Sequence, residues 1–541
     1  MTIRAPAEST QRLLKAARDA LRPPGLFRAA GNPRMALEGI VASGDVGAVS
    51  ELLSIALEHA GPQRAGCVEA AWALAAPLLP GGLPELDEWL RRAGPWSGFW
   101  EGAWKRLTPR EVTALPLASS ADRILVRLLA SHPNGHVREA AVIRLSSSTD
   151  GEEIPFLLVR ANDWVPAIRL RARSALLDRI TPVNAGPLLR HLPLLDRLAR
   201  ATRADHQDIV EAVEAVLQSE PARPVLLGGL GSTDFQIRRR CFRLAARALG
   251  ETPWLLDTAG RDPDVVIRRW AYGRAQDLSA TGDRDRYFEH AAADPFAPIR
   301  RIALEYWKRR VGPTADRLAE AFLFDRAADL RADAQRLWQA RVTALVAEIY
   351  RRTISEGTSS RLVGALNGLA ETGAAEDAEL TRPYLEHPRA RVRRAALRAL
   401  CRLAPRSTVA PFVEALFRDR SSVATEACRC LQGRTSELDL PGLWSLALGE
   451  PAVVRVRLLR LARSIGKWRR LEFLLNAAID TNSTVRTVAL LELEDWRGRF
   501  NRSFTAPSDS QLDTLRPLVE RARSVLPAAL TREIEFLIRV A

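Results

Sequence analysis

Apolar residues recur three and four positions apart along most of the chain, in runs several helical turns long that are cut by short polar turns. Residues 122–130 (DRILVRLLA) and 409–419 (VAPFVEALFRD) show the pattern, and both are too long and too rich in Leu and Ala for strands. After such a run comes a short turn, then an aliphatic residue, an arginine and small apolar residues at helical spacing. The sequence reads HPNGHVREAAVIRL from His132, RDPDVVIRRWAYGRA from Arg261, ADPFAPIRRIALEYW from Ala293, HPRARVRRAALRAL from His387 and DTNSTVRTVALLEL from Asp480. Pro133, Pro263, Pro295 and Pro388 stand in these turns, and Pro451 in that of GEPAVVRVRLLRLA from Gly449, where a missing N–H costs nothing. An Asp beside the turn caps the exposed N–H groups of the helix that follows. The predicted unit is helix, tight turn, helix.

The unit repeats. Its arginines are Arg138, Arg169, Arg238, Arg268, Arg300, Arg331, Arg393, Arg455 and Arg486, with successive spacings of 31, 69, 30, 32, 31, 62, 62 and 31. The wide gaps hold degenerate copies, at DHQDIVEAVEAVL from Asp205, SSRLVGALNGLAE near Arg361 and DRSSVATEACRCL near Ala424. A period kept from about residue 118 to 497 means one supersecondary unit stacked on itself.

These residues resemble the HEAT-repeat superfamily, and within it the short, phycobilisome-lyase-like bacterial repeats. The resemblance implies an all-α fold, a right-handed α-solenoid of stacked antiparallel helix pairs. It also implies a role for the turn acids and second-helix arginines, which pair six apart as Asp163 with Arg169, Asp262 with Arg268, Asp294 with Arg300, Asp325 with Arg331 and Asp480 with Arg486. In such repeats these pairs make a ladder of ion pairs and hydrogen bonds between neighbours.

Three regions are expected. Residues 118–500 form the array; residues 1–117 form a divergent helical segment and N-terminal cap; residues 501–541 supply C-terminal capping helices after a loop at NRSFTAPSDS. In the first region Trp96, Trp100 and Trp104 fall four apart, as a core seam would.

Composition narrows the partner more than the fold. The net charge is +15, and of 79 basic residues only Lys15, Lys105, Lys308 and Lys467 are lysine, a bias expected of a GC-rich bacterial genome. Bias does not explain why basic residues outnumber 64 acids, and the excess grows from +1 over residues 1–120 to +5 over 121–340 and +9 over 341–541. An anionic partner is the usual meaning of such an excess. The five cysteines, Cys67, Cys241, Cys401, Cys428 and Cys430, read as small buried residues of a reducing compartment. Cys428 and Cys430 are two apart on a predicted helix and point to nearly opposite sides, so neither is expected to hold a metal. The amino-terminal residues carry charges throughout, and the longest apolar stretch is broken by Pro77 and Pro80, so the expectation is a cytoplasmic chain that meets no membrane.

No P-loop, dinucleotide fingerprint, GxSxG elbow or HExxH motif occurs. The repeated His-Glu dipeptides of the di-iron hydroxylases built on HEAT repeats are also missing, and His132 and His136 straddle a turn. Neither enzyme activity, cofactor, metal nor small-molecule substrate is expected.

A second set of arginines stands apart from the ladder. Taking the aliphatic residue before each motif arginine as zero on the second helix, the position two further on lies at about 200°, away from the core. Arg239, Arg269, Arg301 and Arg394 occupy it, and Arg243 and Arg398 share its azimuth. The expected function is a scaffold that holds another protein, one with an acidic or helical segment, on this concave arginine stripe. The alternative is nucleic acid bound along the same basic groove, with a HEAT-like DNA glycosylase behind it.

Overall fold

The computed structural model describes residues 3–22, 32–79, 81–92, 103–278, 281–341, 345–357, 360–406, 408–419 and 421–540. Trp96 and Trp100 lie outside them; Trp104 is buried and its ring lies 4.7 Å from that of His132. Among the described residues every regular element is helical and there is no strand. The chain divides into two compact units, residues 1–284 and 285–541.

Within each unit the period is built as paired helices. In the first, Ile154–Arg160 packs on Pro166–Leu177 and Pro253–Gly260 on Val265–Arg274; in the second, Pro313–Leu323 packs on Ala328–Arg341 and Lys467–Ala478 on Ser483–Gly498. The aliphatic residue before each motif arginine is the anchor: Val137, Ile168, Ile237, Ile267, Ile299, Leu330, Val392, Val454 and Val485 are all buried. One turn further on stand Ala141, Ala172, Cys241, Ala271, Ala303, Ala334, Ala396, Leu458 and Ala489, also buried and mostly small. A large side chain in one layer and a methyl in the next let neighbouring second helices close on each other. Burying each anchor is worth about 1.5–3 kcal/mol.

The degenerate repeat after Arg331 shows what replaces the motif. Its helix Leu362–Thr372 carries Gly364 and Gly368, where an added Cβ would meet the Phe324 carbonyl oxygen and the Tyr350 ring at 2.3 Å. Two glycines four apart therefore let this helix lie directly on its neighbours. The buried Tyr350 hydroxyl donates to the Leu323 carbonyl (2.9 Å) and accepts from Gln335 (3.2 Å), locking the contact. Next comes a run of 3-10 turns, Ala375–Glu386, with Pro383 inside it, which takes the place of a first helix against Ala390–Leu403. The second unit ends on Asp509–Ala522 and Ala528–Val540, the former packed on Lys467–Ala478, beside an aromatic cluster of Trp468, Trp496 and Phe500.

Candidate functional site

The turn acids and motif arginines come together, but by a longer route than a six-residue ion pair. Each turn carboxylate first folds back on its own loop, accepting the N–H two residues on: Asp163 from Val165 (3.0 Å), Asp262 from Asp264, Asp294 from Phe296 and Asp325 from Ala327 (2.7 Å each), and Asp480 from Asn482 (2.8 Å). The arginine six residues later donates Nη1 to the carbonyl of that acid and not to its carboxylate. The distances are 2.7 Å for Arg169 to Asp163, 2.9 Å for Arg268 to Asp262, 2.8 Å for Arg300 to Asp294, 2.6 Å for Arg331 to Asp325 and 2.8 Å for Arg486 to Asp480. These carbonyls lie before the helix and have no helical partner, so the guanidinium satisfies groups the turn leaves orphaned.

The other edge of the guanidinium reaches forward to the next repeat. Arg138 donates from Nε and Nη2 to Asp163 (3.1 and 3.2 Å), Arg238 to Asp262 (3.0 and 3.3 Å) and Arg300 to Asp325 (2.7 and 2.7 Å). Arg393 binds Asp419, and Arg455 stands 2.9 Å from Asp480. One planar fork thus serves a turn in its own repeat and a carboxylate about 25 residues ahead, a geometry lysine cannot copy.

Where the motif fails, a neighbouring repeat supplies the arginine. Turn 205–208 has none of its own, and Arg173 donates to the Asp205 carbonyl (2.8 Å) and the Asp208 carboxylate (2.8 Å). Ala424 stands where an arginine would, and Arg457 from the following repeat reaches back to the carbonyls of Leu416 (2.6 Å) and Asp419 (2.9 Å). The repeat after Arg331 offers no turn acid, so Arg331 binds Glu371 instead, Nε to Oε2 at 3.1 Å.

The outward arginines divide evenly. Arg239 donates to Asp264 (2.6 and 3.0 Å) and lies 4.7 Å over the Phe235 ring; Arg301 binds Asp333 (2.9 Å) and Asp329; Arg398 binds Glu426 and the Asn367 amide oxygen (3.1 Å). The hydrogen bond from Arg239 holds the Asp264 carboxyl below the usual carboxylate range, and Glu426 raises the Arg398 guanidinium. Arg243, Arg269 and Arg394 are exposed, with no carboxylate partner among the described residues. The acids that engage the first three lie in the repeat ahead. The second Asp of the Asp-Pro-Asp turn at residues 262–264 is the one signal in the sequence that could have shown it.

A cavity of about 450 Å³ in the first unit escaped the sequence pattern. Its floor is Asp163, whose Oδ2 accepts from Arg91 (2.8 Å), Arg160 (2.7 Å) and Arg138 (3.1 Å). Asp87 pairs with Arg91 and Arg160, and Trp164 stands 62% exposed at the rim. Three guanidinia meet two carboxylates there, so the wall is positive.

The histidines offer no ligand set. His132 uses both ring nitrogens, Nε2 on the Trp104 carbonyl (2.7 Å) and Nδ1 accepting from Asn134 (3.0 Å), and burial lowers its pKa. Among the described residues no three His, Cys, Asp or Glu gather as a metal site, and no helix is long and apolar enough to cross a membrane.

Residues 378–460 match the family model described as HEAT repeats; the match does not reach the narrower phycobilisome-lyase-like branch. No curated protein matches. Among solved structures the chain is similar to an engineered protein (16% identity, 72% of this chain and 98% of that one, TM-score 0.20). It is also similar to Kap121p bound to Pho4p (12% identity, 95% of this chain, TM-score 0.28), of whose length it spans 57%. A third is UNC-45 from Drosophila melanogaster (12% identity, 94% of this chain and 85% of that one, TM-score 0.19). Residues 378–460, where Arg393 and Arg455 stand, are thus HEAT repeats by sequence.

Proposed function

We propose that the chain is a non-catalytic scaffold that holds another protein, through an acidic or helical segment, on the outward arginines of its second helices. One observation carries the reading. Arginines adjacent in sequence have opposite fates: Arg268 and Arg393 are spent on turn carbonyls, while Arg269 and Arg394 are exposed beside them with no carboxylate partner among the described residues. Arg243, one turn beyond Arg239 on the helix Phe235–Leu249, adds a further exposed cation in the first unit. Stability does not require these positions, since solvent-facing residues seldom matter by more than about 0.5 kcal/mol. An excess of +15 that the ladder does not consume is available for an anionic partner.

The test uses the full chain and its triple variant Arg243→Glu, Arg269→Glu, Arg394→Glu. A labelled acidic helical peptide and a labelled DNA duplex are titrated against both at low and at physiological salt. The expected result is a folded variant that no longer binds the peptide, with the duplex released at physiological salt. Undiminished peptide binding by the variant overturns the reading. Tight duplex binding with a steep salt dependence replaces it by the nucleic-acid alternative.

A further inference from the structure

Cys428 and Cys430 point away from each other, as their spacing requires, and each meets a different neighbour. The Cys428 thiol faces the Arg457 carbonyl on the following helix (3.8 Å), and Cys430 faces the Leu397 carbonyl on the preceding one (4.0 Å). On that preceding helix, Ala390–Leu403, stands Cys401, one helical turn after Leu397. Both cysteines line a cavity of about 360 Å³ in the second unit. Cys430 is buried, Cys401 is part-buried, and all five cysteines are free thiols.

The cavity wall sets this pair apart from a chance contact. Arg331, Arg398, Arg402 and Arg429 line it against only Glu371 and Glu426, so an anion beside Cys401 is favoured. We propose that Cys401 and Cys430 form a reversible redox pair, in which Cys401 reacts with a hydroperoxide entering the cavity and Cys430 closes the disulfide. In the first step the Cys401 thiolate, its proton already lost to solvent, attacks the peroxide. An S–O bond forms, the O–O bond breaks, and the leaving oxyanion takes a proton to depart as water or alcohol. The product is the Cys401 sulfenic acid. In the second step the Cys430 sulfur attacks the Cys401 sulfur; an S–S bond forms, the S–O bond breaks, and hydroxide leaves with the Cys430 proton as water. Two thiols are oxidised and one hydroperoxide is reduced. The two sulfurs, on helices packed against each other and lining one cavity, close to the ~2.05 Å of a disulfide, which ties Ala390–Leu403 to Ser421–Gln432 of the adjacent repeat.

The division of roles follows from their surroundings. The neighbouring Cys430 thiol, with help from Arg434 and Arg402, lowers the Cys401 thiol to about 7 against the opposing effect of burial. The Cys401 neighbour and burial push Cys430 up. By contrast, burial alone raises Cys67 to about 11.

The full-length protein treated with one equivalent of hydrogen peroxide should lose about 2 Da, the two hydrogens removed, and yield a disulfide-linked peptide joining Cys401 to Cys430. Cys430→Ser should stop at the first step and give a dimedone adduct on Cys401, and Cys401→Ser should give none at that dose. Alkylation of Cys401 in the untreated wild-type chain should rise with a midpoint near 7, below the ~8.5 of a free thiol. No mass loss, a disulfide between any other pair, or a Cys401 sulfinic acid without a disulfide in the wild-type protein each overturns the proposal. The wild-type peptide map reads this outcome whether or not the serine variants fold.

Discussion

Arg393 and Arg394 are the same residue, one position apart on one helix, and they belong to different regions of the molecule. Arg393 is 17% exposed, holds the carbonyls of His387 (2.8 Å) and Pro388 (3.1 Å), and reaches Asp419 in the repeat ahead. Arg394, rotated by about 100°, stands in solvent. Arg268 and Arg269 repeat the contrast in the first unit. The turn-facing region uses arginine as a rigid, multidentate clamp whose charge is cancelled on site. The outward region uses it as a mobile surface charge, cancelled only where the next repeat supplies an acid, as at Arg239 and Arg301.

Removing charge from the inner region is expected to cost most at Asp163, whose carboxylate is 0% exposed and serves Arg91, Arg138 and Arg160. Asp163→Ala leaves the buried guanidinia of Arg138 and Arg160, and the part-buried one of Arg91, without their common partner and should cost roughly 3–5 kcal/mol in urea unfolding. A cost no larger than that of an outward substitution would erase the distinction between the regions.

An orphaned buried group sharpens the comparison by its pH dependence. His191 is buried with Nδ1 unpartnered, and burial lowers its pKa to about 4. The unfolded chain binds a proton there below about 6.5 and the folded chain does not, so stability is complete above that pH and is lost as pH falls toward 4. The loss is on the order of 3 kcal/mol. Glu51, raised to about 7 by burial, acts with opposite sign, its contribution being lost as pH rises from about 4.5 to 7. The His191 effect is therefore read as the difference between wild type and His191→Gln. Equal slopes between pH 6.5 and 4 would contradict it.

A smaller effect is expected at the rerouted rung. A double-mutant cycle on Arg331 and Glu371 should give a coupling of about 1–3 kcal/mol, as residues in direct contact do. Additive single effects would mean that the rung does not bridge these repeats.

How much of this is legible in the sequence depends on how far each contact reaches. The helix pairs are legible because Val137 and Ala141, and their counterparts in each unit, sit at local spacings that one helix face explains. The six-residue spacing of Asp294 and Arg300 is legible too, but it marks only the near half of a contact. The guanidinium's forward partner, Asp325, depends on how one repeat stacks on the next, which spacing within a repeat does not encode. For the same reason Arg239 and Arg398 read as free outward cations although Asp264 and Glu426 meet them. The first-unit cavity depends on Arg91, 72 residues before Asp163, and the thiol pair joins Cys401 to a residue of the next repeat. Neither has a local signature.

The most direct test of the division between the two regions is to unfold Arg393→Ala and Arg394→Ala side by side in urea. Arg393→Ala strands Asp419 and two turn carbonyls, and the predicted loss is on the order of 2–3 kcal/mol. Arg394→Ala removes a solvated side chain and should stay within about 0.5 kcal/mol of wild type. Equal losses for the two variants, or a larger one for Arg394→Ala, would contradict the account.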